Sequence, residues 1–281
     1  MKKAALSLFA AVLALNFLSA ARASAEETRV VDDEIVLMDP TVSAPRKWAV
    51  GGAFEGWYMN GPWVTNINGQ KASEGTIAGG MPGGNVFFGY DNFTLQYSRR
   101  DGKFDVKRTF TPYGSTYYAP SHHSTQSQHQ VEDEVTLRYL WKLSPKFNPY
   151  LLAGYNKTVV DIDEVYYLAS GARSGRIDSN RSSYSSGLVG VGAIVPFNRR
   201  VGIRGDGRLL FTSGKYVNRR SNYSATSSGV GGAATGTVYF NVFEGFNLQA
   251  GFKGQVLNGG EKVTAFGRFG IFASAGYSYK F

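Results

Sequence analysis

The chain has 281 residues, a formal net charge of +9, 35 glycines, no cysteine and a slightly polar mean hydropathy. The lack of cysteine excludes a disulfide framework and thiol chemistry. After the first 25 residues no apolar run reaches the length that a membrane helix needs, and the remaining length suits one large β domain.

The N-terminal residues predict an export signal. Lys2 and Lys3 precede an apolar run over residues 4–21, and Ala23-Ser24-Ala25 has the small-residue pattern that a signal peptidase cleaves. A membrane anchor is the less favoured interpretation, because the run is short and no basic cluster follows it. We therefore expect residues 1–25 to be a signal peptide. Its removal takes away three cationic residues and lowers the formal charge from +9 to +6.

Residues 26–46 do not show the alternation of a strand. They are rich in aspartate and glutamate and contain Pro40 and Pro45. We expect a flexible leader in the periplasm, and a short plug that enters a barrel is the alternative.

From residue 47 onward, apolar and polar residues alternate in repeated segments. In one of them Val135 and Leu137 alternate with Thr136 and Arg138, so one face is apolar and the other polar. Short turn signals alternate along the chain with longer Gly/Ser-rich stretches, as in transmembrane β-barrels. The prediction is an all-β, antiparallel up-and-down transmembrane β-barrel of about ten strands over residues 47–281, with eight or twelve as alternatives. The predicted strands are 47–60, 84–90, 93–111, 129–143, 149–161, 184–197, 201–213, 230–243, 246–257 and 263–281.

The stretches between these strands fall into two kinds. We interpret 61–82, 112–128, 162–183 and 214–228 as long outer loops. The dipeptide Asp101-Gly102 resembles a hairpin turn. A hairpin turn at this dipeptide would break the alternation of long and short connections. We therefore interpret the dipeptide as a bulge in a strand that projects past the membrane.

Charged residues occupy alternate positions in several strands and should therefore face the lumen. Their signs are mixed, as burial requires. They form either a narrow polar path for ions and small solutes or an interlocked salt-bridge core. The core is favoured, because barrels of about eight strands are just wide enough for side chains to fill. The predicted lumen residues are Glu132, Glu134, Arg138, Lys142, Arg204, Asp206, Arg208, Lys253 and Arg268.

The last strand carries the most specific pattern. Its odd positions are apolar or aromatic and end in Tyr277, Tyr279 and Phe281. This ending resembles the final strand of bacterial outer-membrane β-barrels, which include OmpA-type domains and small porin-like proteins. The resemblance implies an outer-membrane location, contact with outer-membrane lipid and lipopolysaccharide, and recognition of these three residues by the barrel-assembly machinery. It covers nearly the whole mature chain as architecture and implies no particular activity.

Catalytic signals are weak. His122-x-Ser124 faintly resembles the lipid A deacylases but lacks their neighbouring residues. Asp161 and Asp163 imitate half of the omptin protease site, yet no Asp-x-His occurs. We interpret these side chains, together with His123 and His129, as solvated residues in or beside the outer loops. No catalytic, metal or cofactor site is predicted, and no nucleic-acid-binding motif occurs.

The sequence leaves three classes of function open. The leading hypothesis is a non-enzymatic barrel with a structural or surface-interaction role, with narrow passage of small solutes or ions as a variant. The alternatives are an enzyme that acts on lipid A or peptides, and an adhesin whose outer loops bind host or surface ligands.

Overall fold

The computed structural model describes residues 48–67, 70–112, 122–198, 200–243, 245–260 and 266–280. The predicted signal peptide (1–25), the predicted leader (26–46) and Phe281 lie outside these ranges, so what the sequence indicates for them stays a prediction. No helix in the described ranges is long and apolar enough to cross a membrane.

The described residues form ten antiparallel strands, and β1 pairs with both β2 and β10, so the sheet closes into a barrel. The predicted fold is thereby confirmed. Both the start of β1 and the end of β10 lie at the end with short turns, which is the periplasmic end in such barrels. The strands are β1 (Trp48–Ile67), β2 (Gln70–Tyr90), β3 (Phe93–Phe110), β4 (His123–Leu140), β5 (Asn148–Tyr167), β6 (Arg173–Pro196), β7 (Val201–Asn218), β8 (Tyr223–Phe243), β9 (Phe246–Leu257) and β10 (Phe266–Lys280).

The outer face of the barrel carries an apolar band. Successive side chains of a strand point to opposite faces, and large apolar residues at alternate positions stay exposed, such as Phe54 at 69 %. In water this surface would be costly, whereas lipid covers it without penalty. Near the periplasmic turns aromatic rings lie against one another, with 4.3 Å between the ring centroids of Trp48 and Tyr90. They form the interfacial aromatic girdle typical of such barrels.

The strands extend much further outward than the alternation indicates. The prediction of long loops at 61–82, 162–183 and 214–228 is wrong, because most of these residues lie in β1, β2, β5, β6, β7 and β8. The predicted loop 112–128 is also too long, since β4 begins at His123. Above the membrane both faces of a strand tolerate polar residues, so the backbone ladder continues where the apolar rhythm stops.

The predicted bulge at Asp101-Gly102 is also wrong. Pairing between β2 and β3 keeps one register on both sides of it, from Gly80 with Lys103 to Gly83 with Arg100. A Cβ atom on Gly102 would lie 2.1 Å from the carbonyl oxygen of Gly80. Glycine is therefore needed for close approach of the two strands and not for a turn.

Candidate functional site in the barrel lumen

The structure places eight of the nine predicted lumen residues on inward faces of their strands. They are buried or half-buried, and Glu132 has no exposed surface. The eight are Glu132, Glu134, Arg138, Arg204, Asp206, Arg208, Lys253 and Arg268.

Lys142 is the exception and the prediction for it is wrong. Strand β4 ends at Leu140, and the Lys142 ammonium lies outside the lumen, 3.5 Å from a carboxylate oxygen of Asp91. The alternation of residue types continues past the last ladder pair, and such a pattern does not reveal where a strand ends.

Glu132 sits at the centre of a charged layer that crosses the barrel. One of its carboxylate oxygens accepts from Nη1 of Arg100 at 2.5 Å and lies 3.3 Å from Nζ of Lys253. Arg268 binds the other oxygen, and Arg100 also contacts Glu55 at 2.5 Å. We call these five side chains the Glu132 layer. In the ten-strand ring β4 and β9 stand opposite each other, so the contact between Lys253 and Glu132 spans the lumen.

Trp57 reinforces the Glu132 layer. Its side chain is 2 % exposed, and its ring centroid lies 4.9 Å from the Lys253 ammonium and 4.8 Å from the Arg268 guanidinium. A cation over an indole ring is attracted by the negative face of the ring, most strongly where water is excluded. The indole thus fills the space beside the charges without leaving them isolated.

A second group of charges lies nearer the periplasmic end. Arg208 contacts Glu134 at 2.7 Å and Asp206 at 2.6 Å. The hydroxyl of Tyr150 donates to Asp206 at 3.1 Å, and the guanidinium of Arg204 lies 5.7 Å from the Tyr150 ring centroid. We call these five residues the Arg208 cluster. It joins β4, β5 and β7, so it holds three strands in register.

On the extracellular side of the Glu132 layer the lumen is packed. A ladder of amides along β4 runs from Gln130 to Gln128 at 3.1 Å and from Gln128 to Gln126 at 2.8 Å. Beside it lies a cluster of apolar side chains with no more than 5 % exposure, which contains Trp57, Met59, Ile77, Met81, Phe104 and Val106. Interior packing of this kind leaves few voids larger than a water molecule.

A further polar cluster lies near the outer end, and the sequence analysis missed it. Arg108 and the Ser124 hydroxyl both bind Glu164, and the Tyr166 hydroxyl oxygen lies 2.8 Å from a carboxylate oxygen of Glu164 and 2.9 Å from one of Asp178, so its single proton is donated to one of the two. Burial, followed by the charge of Glu164, raises the pKa of Tyr166, so its hydroxyl stays a donor at neutral pH. The cluster was missed because 162–183 was interpreted as a loop.

Between the Glu132 layer and the periplasmic turns the lumen holds a cavity of about 110 Å³. Trp57, Arg100 and Lys253 bound the cavity on its extracellular side, and Thr94 and Asn247 lie near the periplasmic turns. A cavity that holds a single water molecule needs only ~10–15 Å³ of such space. The cavity, called the periplasmic cavity below, thus has room for a small solute.

β4 begins at His123, so His123 and His129 lie in a strand and not in a loop. His122 lies immediately before this strand. The ring of His123 stacks on Tyr167 with 4.8 Å between centroids. His129 lies 2.7 Å from a carboxylate oxygen of Asp101, and both are exposed on the outer wall. This pair therefore faces away from the lumen and the periplasmic cavity.

Asp161 also lies on the outer wall, in the part of β5 beyond the apolar band. It contacts Arg181 at 2.8 Å and Arg219 at 2.6 Å. Partial burial acts to raise the pKa of this carboxyl, but hydrogen bonds and charge from the two guanidiniums outweigh it and lower the pKa. The three side chains link β5, β6 and the turn after β7.

Comparison with known proteins identifies a fold. No family model and no curated protein matches the chain. Among solved structures, the outer membrane protease OmpT from Escherichia coli is 9 % identical with a TM-score of 0.52, covering 84 % of this chain and 97 % of that one. The translocator domain of autotransporter NalP from Neisseria meningitidis is 10 % identical with a TM-score of 0.46, covering 98 % of this chain and 97 % of that one.

OprG from Pseudomonas aeruginosa is also similar, at 10 % identity and a TM-score of 0.39, covering 88 % of this chain and all of the other. At such identities the likeness concerns the fold alone. The chain has the fold of the bacterial outer-membrane β-barrels, as the sequence predicted. This fold and the apolar band support a location in the outer membrane.

Proposed function

We propose that this chain is a non-enzymatic outer-membrane barrel with a sealed lumen, which contributes to envelope integrity and presents a rigid charged surface above the membrane. The observation that carries the proposal is the Glu132 layer. Its central carboxylate receives cations from β3, β9 and β10, and the packed outer half of the lumen lies above it. Such a filled interior favours the salt-bridge core over a path for solutes.

The projecting strands supply the surface. Just beyond the apolar band Arg99 contacts Asp133 at 3.1 Å, and the Tyr97 hydroxyl donates to the same carboxylate at 2.7 Å. Lys157 pairs across the ladder with Asp133. Cationic side chains at this height fit the phosphate groups of lipopolysaccharide, which we propose as the partner here. Because these side chains stand on strands and not on loops, binding would not have to order the backbone.

His129 lies 2.7 Å from the Asp101 carboxylate, but both side chains are exposed on the outer face of the barrel, and this exposure favours a non-enzymatic role. A general base works best beside a pocket that orients the substrate and excludes water. The described part of the chain brings no group of three histidine, aspartate or glutamate side chains together as a metal site. A barrel-based enzyme and an adhesin remain the competing proposals.

A deletion strain tests the proposed function. Cells that lack the chain are expected to become more sensitive to detergent, because an anchoring protein of the outer leaflet is missing. The wild-type chain and Thr136→Ala, a change inside the lumen, should restore resistance. Arg99→Glu combined with Lys157→Glu should not, because both face the lipid head groups. Normal detergent resistance in the deletion strain, together with slower uptake of small hydrophilic solutes, would instead support a transport role.

A further inference from the structure

The outer wall of β5, β6 and β7 carries serine hydroxyls between two lysines. Lys157 on β5 pairs across the ladder with Ser185 on β6, which pairs in turn with Ser213 on β7. One step further from the membrane, Ser183 pairs with Lys215. These five side chains alternate with buried neighbours along their strands, so all of them face outward. We call them the lysine–serine platform.

The polar groups of the platform are available for a ligand. Neither lysine forms an ion pair with a described residue, and no described residue makes a hydrogen bond with the three serine hydroxyls. On the other side of Lys157 the arrangement differs, because Asp133 on β4 lies between Lys157 and Arg99 across the ladders. The platform itself contains no carboxylate, so an anion can approach both of its lysines without repulsion from within it.

Two guanidiniums lie directly beyond the platform and add to its positive charge. Arg181 on β6 and Arg219 after β7 both contact Asp161. The next carboxylate along β5, Asp163, lies one step further from the membrane. The platform and this edge therefore hold four cations and one carboxylate, and the excess of positive charge favours an anionic partner.

The platform begins where the apolar band of the barrel ends. Tyr155 on β5 and Phe211 on β7 immediately precede it, and both pair with Gly187 of β6. The two rings are about half exposed, and aromatic residues of such barrels lie at the interface between lipid and water. One two-residue step along a strand covers about 7 Å, so the platform lies at the level of the lipid head groups.

The backbone between the two rings also leaves room for a lipid. A Cβ atom added to Gly187 would meet nothing within 4 Å. Tyr155 and Phe211 therefore flank a depression in the outer wall, directly below the platform. A ligand with a polar head group and an acyl chain could place the head group on the platform and the start of the chain in this depression.

We infer that the lysine–serine platform binds the phosphorylated sugar head group of one lipopolysaccharide molecule. The ammonium groups of Lys157 and Lys215 bind phosphate, and the serine hydroxyls, which both donate and accept, bind the hydroxyls of the sugars. The backbones of β5 and β7 are about 10 Å apart, which suits a sugar that carries a phosphate. This inference rests on the contact with lipopolysaccharide proposed above and assigns it to a site.

Titration of the mature full-length protein with lipid A tests the inference. Native mass spectrometry from a non-ionic detergent counts the bound lipids, and three ligands are compared: lipid A, lipid A without its phosphates, and phosphatidylglycerol. One lipid A per barrel is expected to bind saturably. Removal of the phosphates should weaken binding by about tenfold or more, the usual loss when charged hydrogen bonds disappear. Absence of saturable binding, or equal affinity for phosphatidylglycerol, would overturn the inference.

A double variant locates the site. Lys157→Gln combined with Lys215→Gln should weaken the binding of lipid A by about tenfold or more, because both phosphate ligands are lost. The matched control, Lys146→Gln combined with Arg200→Gln, removes two exposed cations at the periplasmic turns and should leave the affinity unchanged. Equal weakening by the two double variants would show that only the total charge matters and would reject the site.

Ser185 provides a second test that leaves the lysines in place. Ser185→Glu puts a carboxylate at the centre of the platform and should strongly weaken the binding of lipid A, whereas Ser185→Gln, of nearly the same shape, should change it little. Both variants should keep the melting temperature of the wild type, because the position lies on the outer wall. Unchanged affinity in Ser185→Glu would contradict the inference.

The site and the proposed function can fail separately. Specific binding of lipid A together with normal detergent resistance of the deletion strain would retain the site and reject the role in envelope integrity. Loss of detergent resistance in the deletion strain, without binding of lipid A to the purified protein, would retain that role and reject the site.

Discussion

Glu132 is fully buried and contacts cations from three other strands. Removing one member of a buried charge network leaves its partners uncompensated. Its sequence neighbour Asp133 faces outward and contacts the exposed Arg99. The charges of these two adjacent carboxylates therefore differ in how much they contribute to the stability of the fold.

Glu132→Gln should destabilise the barrel by about 3–5 kcal/mol, the usual result of breaking a buried ion pair. Asp133→Asn makes the same chemical change one residue away and should cost at most about 1 kcal/mol, as exposed pairs do. Urea unfolding of both variants and the wild type in one detergent measures the difference. Equal effects of the two substitutions would show that the Glu132 layer adds nothing specific.

The pH dependence of Asp161 is a second prediction at this scale. Because its pKa is lowered in the folded state, the carboxylate stabilises the fold above the ordinary carboxyl pKa. This contribution is lost as the pH falls through the lowered value. Asp161→Asn should thus reduce the melting temperature at neutral pH, by a modest amount since the pair is partly exposed. The difference from the wild type should shrink in acid.

The control is Asp163→Asn, the same change two residues along the outer face of β5. Melting curves at several pH values in one detergent compare the variants. A deficit for Asp161→Asn that stays constant down to strongly acidic pH would contradict the assigned contacts with Arg181 and Arg219.

At the level of the strands, the sequence predicts how many strands there are but not the residues at which their extracellular ends lie. Within the membrane, lipid on one face imposes the two-residue rhythm, which identifies strands such as β9 at 246–257 with their true bounds. Beyond the membrane that constraint disappears, and β6 begins at Arg173 rather than at the predicted residue 184. Serine, tyrosine and asparagine in this region pair through their backbones without leaving a hydrophobic signature.

Gly102 in β3 is the position that tests the close approach of β3 to β2. A Cβ atom there would meet the backbone of β2, 2.1 Å from the Gly80 oxygen and 2.7 Å from the Met81 Cα. Gly102→Ala should therefore destabilise the barrel by about 1–3 kcal/mol through overpacking. At Gly187 in β6 an added Cβ meets nothing within 4 Å, so Gly187→Ala should be close to neutral. Denaturant unfolding distinguishes the two, and a neutral Gly102→Ala would contradict the close approach.

For the molecule as a whole, the sequence predicts many of the residues that face the lumen. Alternation places Glu132, Arg208 and Arg268 inward, and the same parity applied to Phe93 and Leu95 would have placed Arg100 inward too. Which charges meet was not predictable, since Lys253 and Glu132 are 121 residues apart and only closure of the ring brings them together. The periplasmic cavity was likewise hidden, because a void depends on the packing of side chains from many strands.

The sealed lumen is the central claim, and single-channel recording in planar lipid bilayers tests it most directly. The wild-type barrel should give no discrete conductance steps, because the Glu132 layer and the packed outer half leave no continuous path for water. A porin of known conductance, inserted from the same detergent under the same conditions, shows that inserted protein is detectable. Reproducible conductance steps from the wild-type protein would contradict the account.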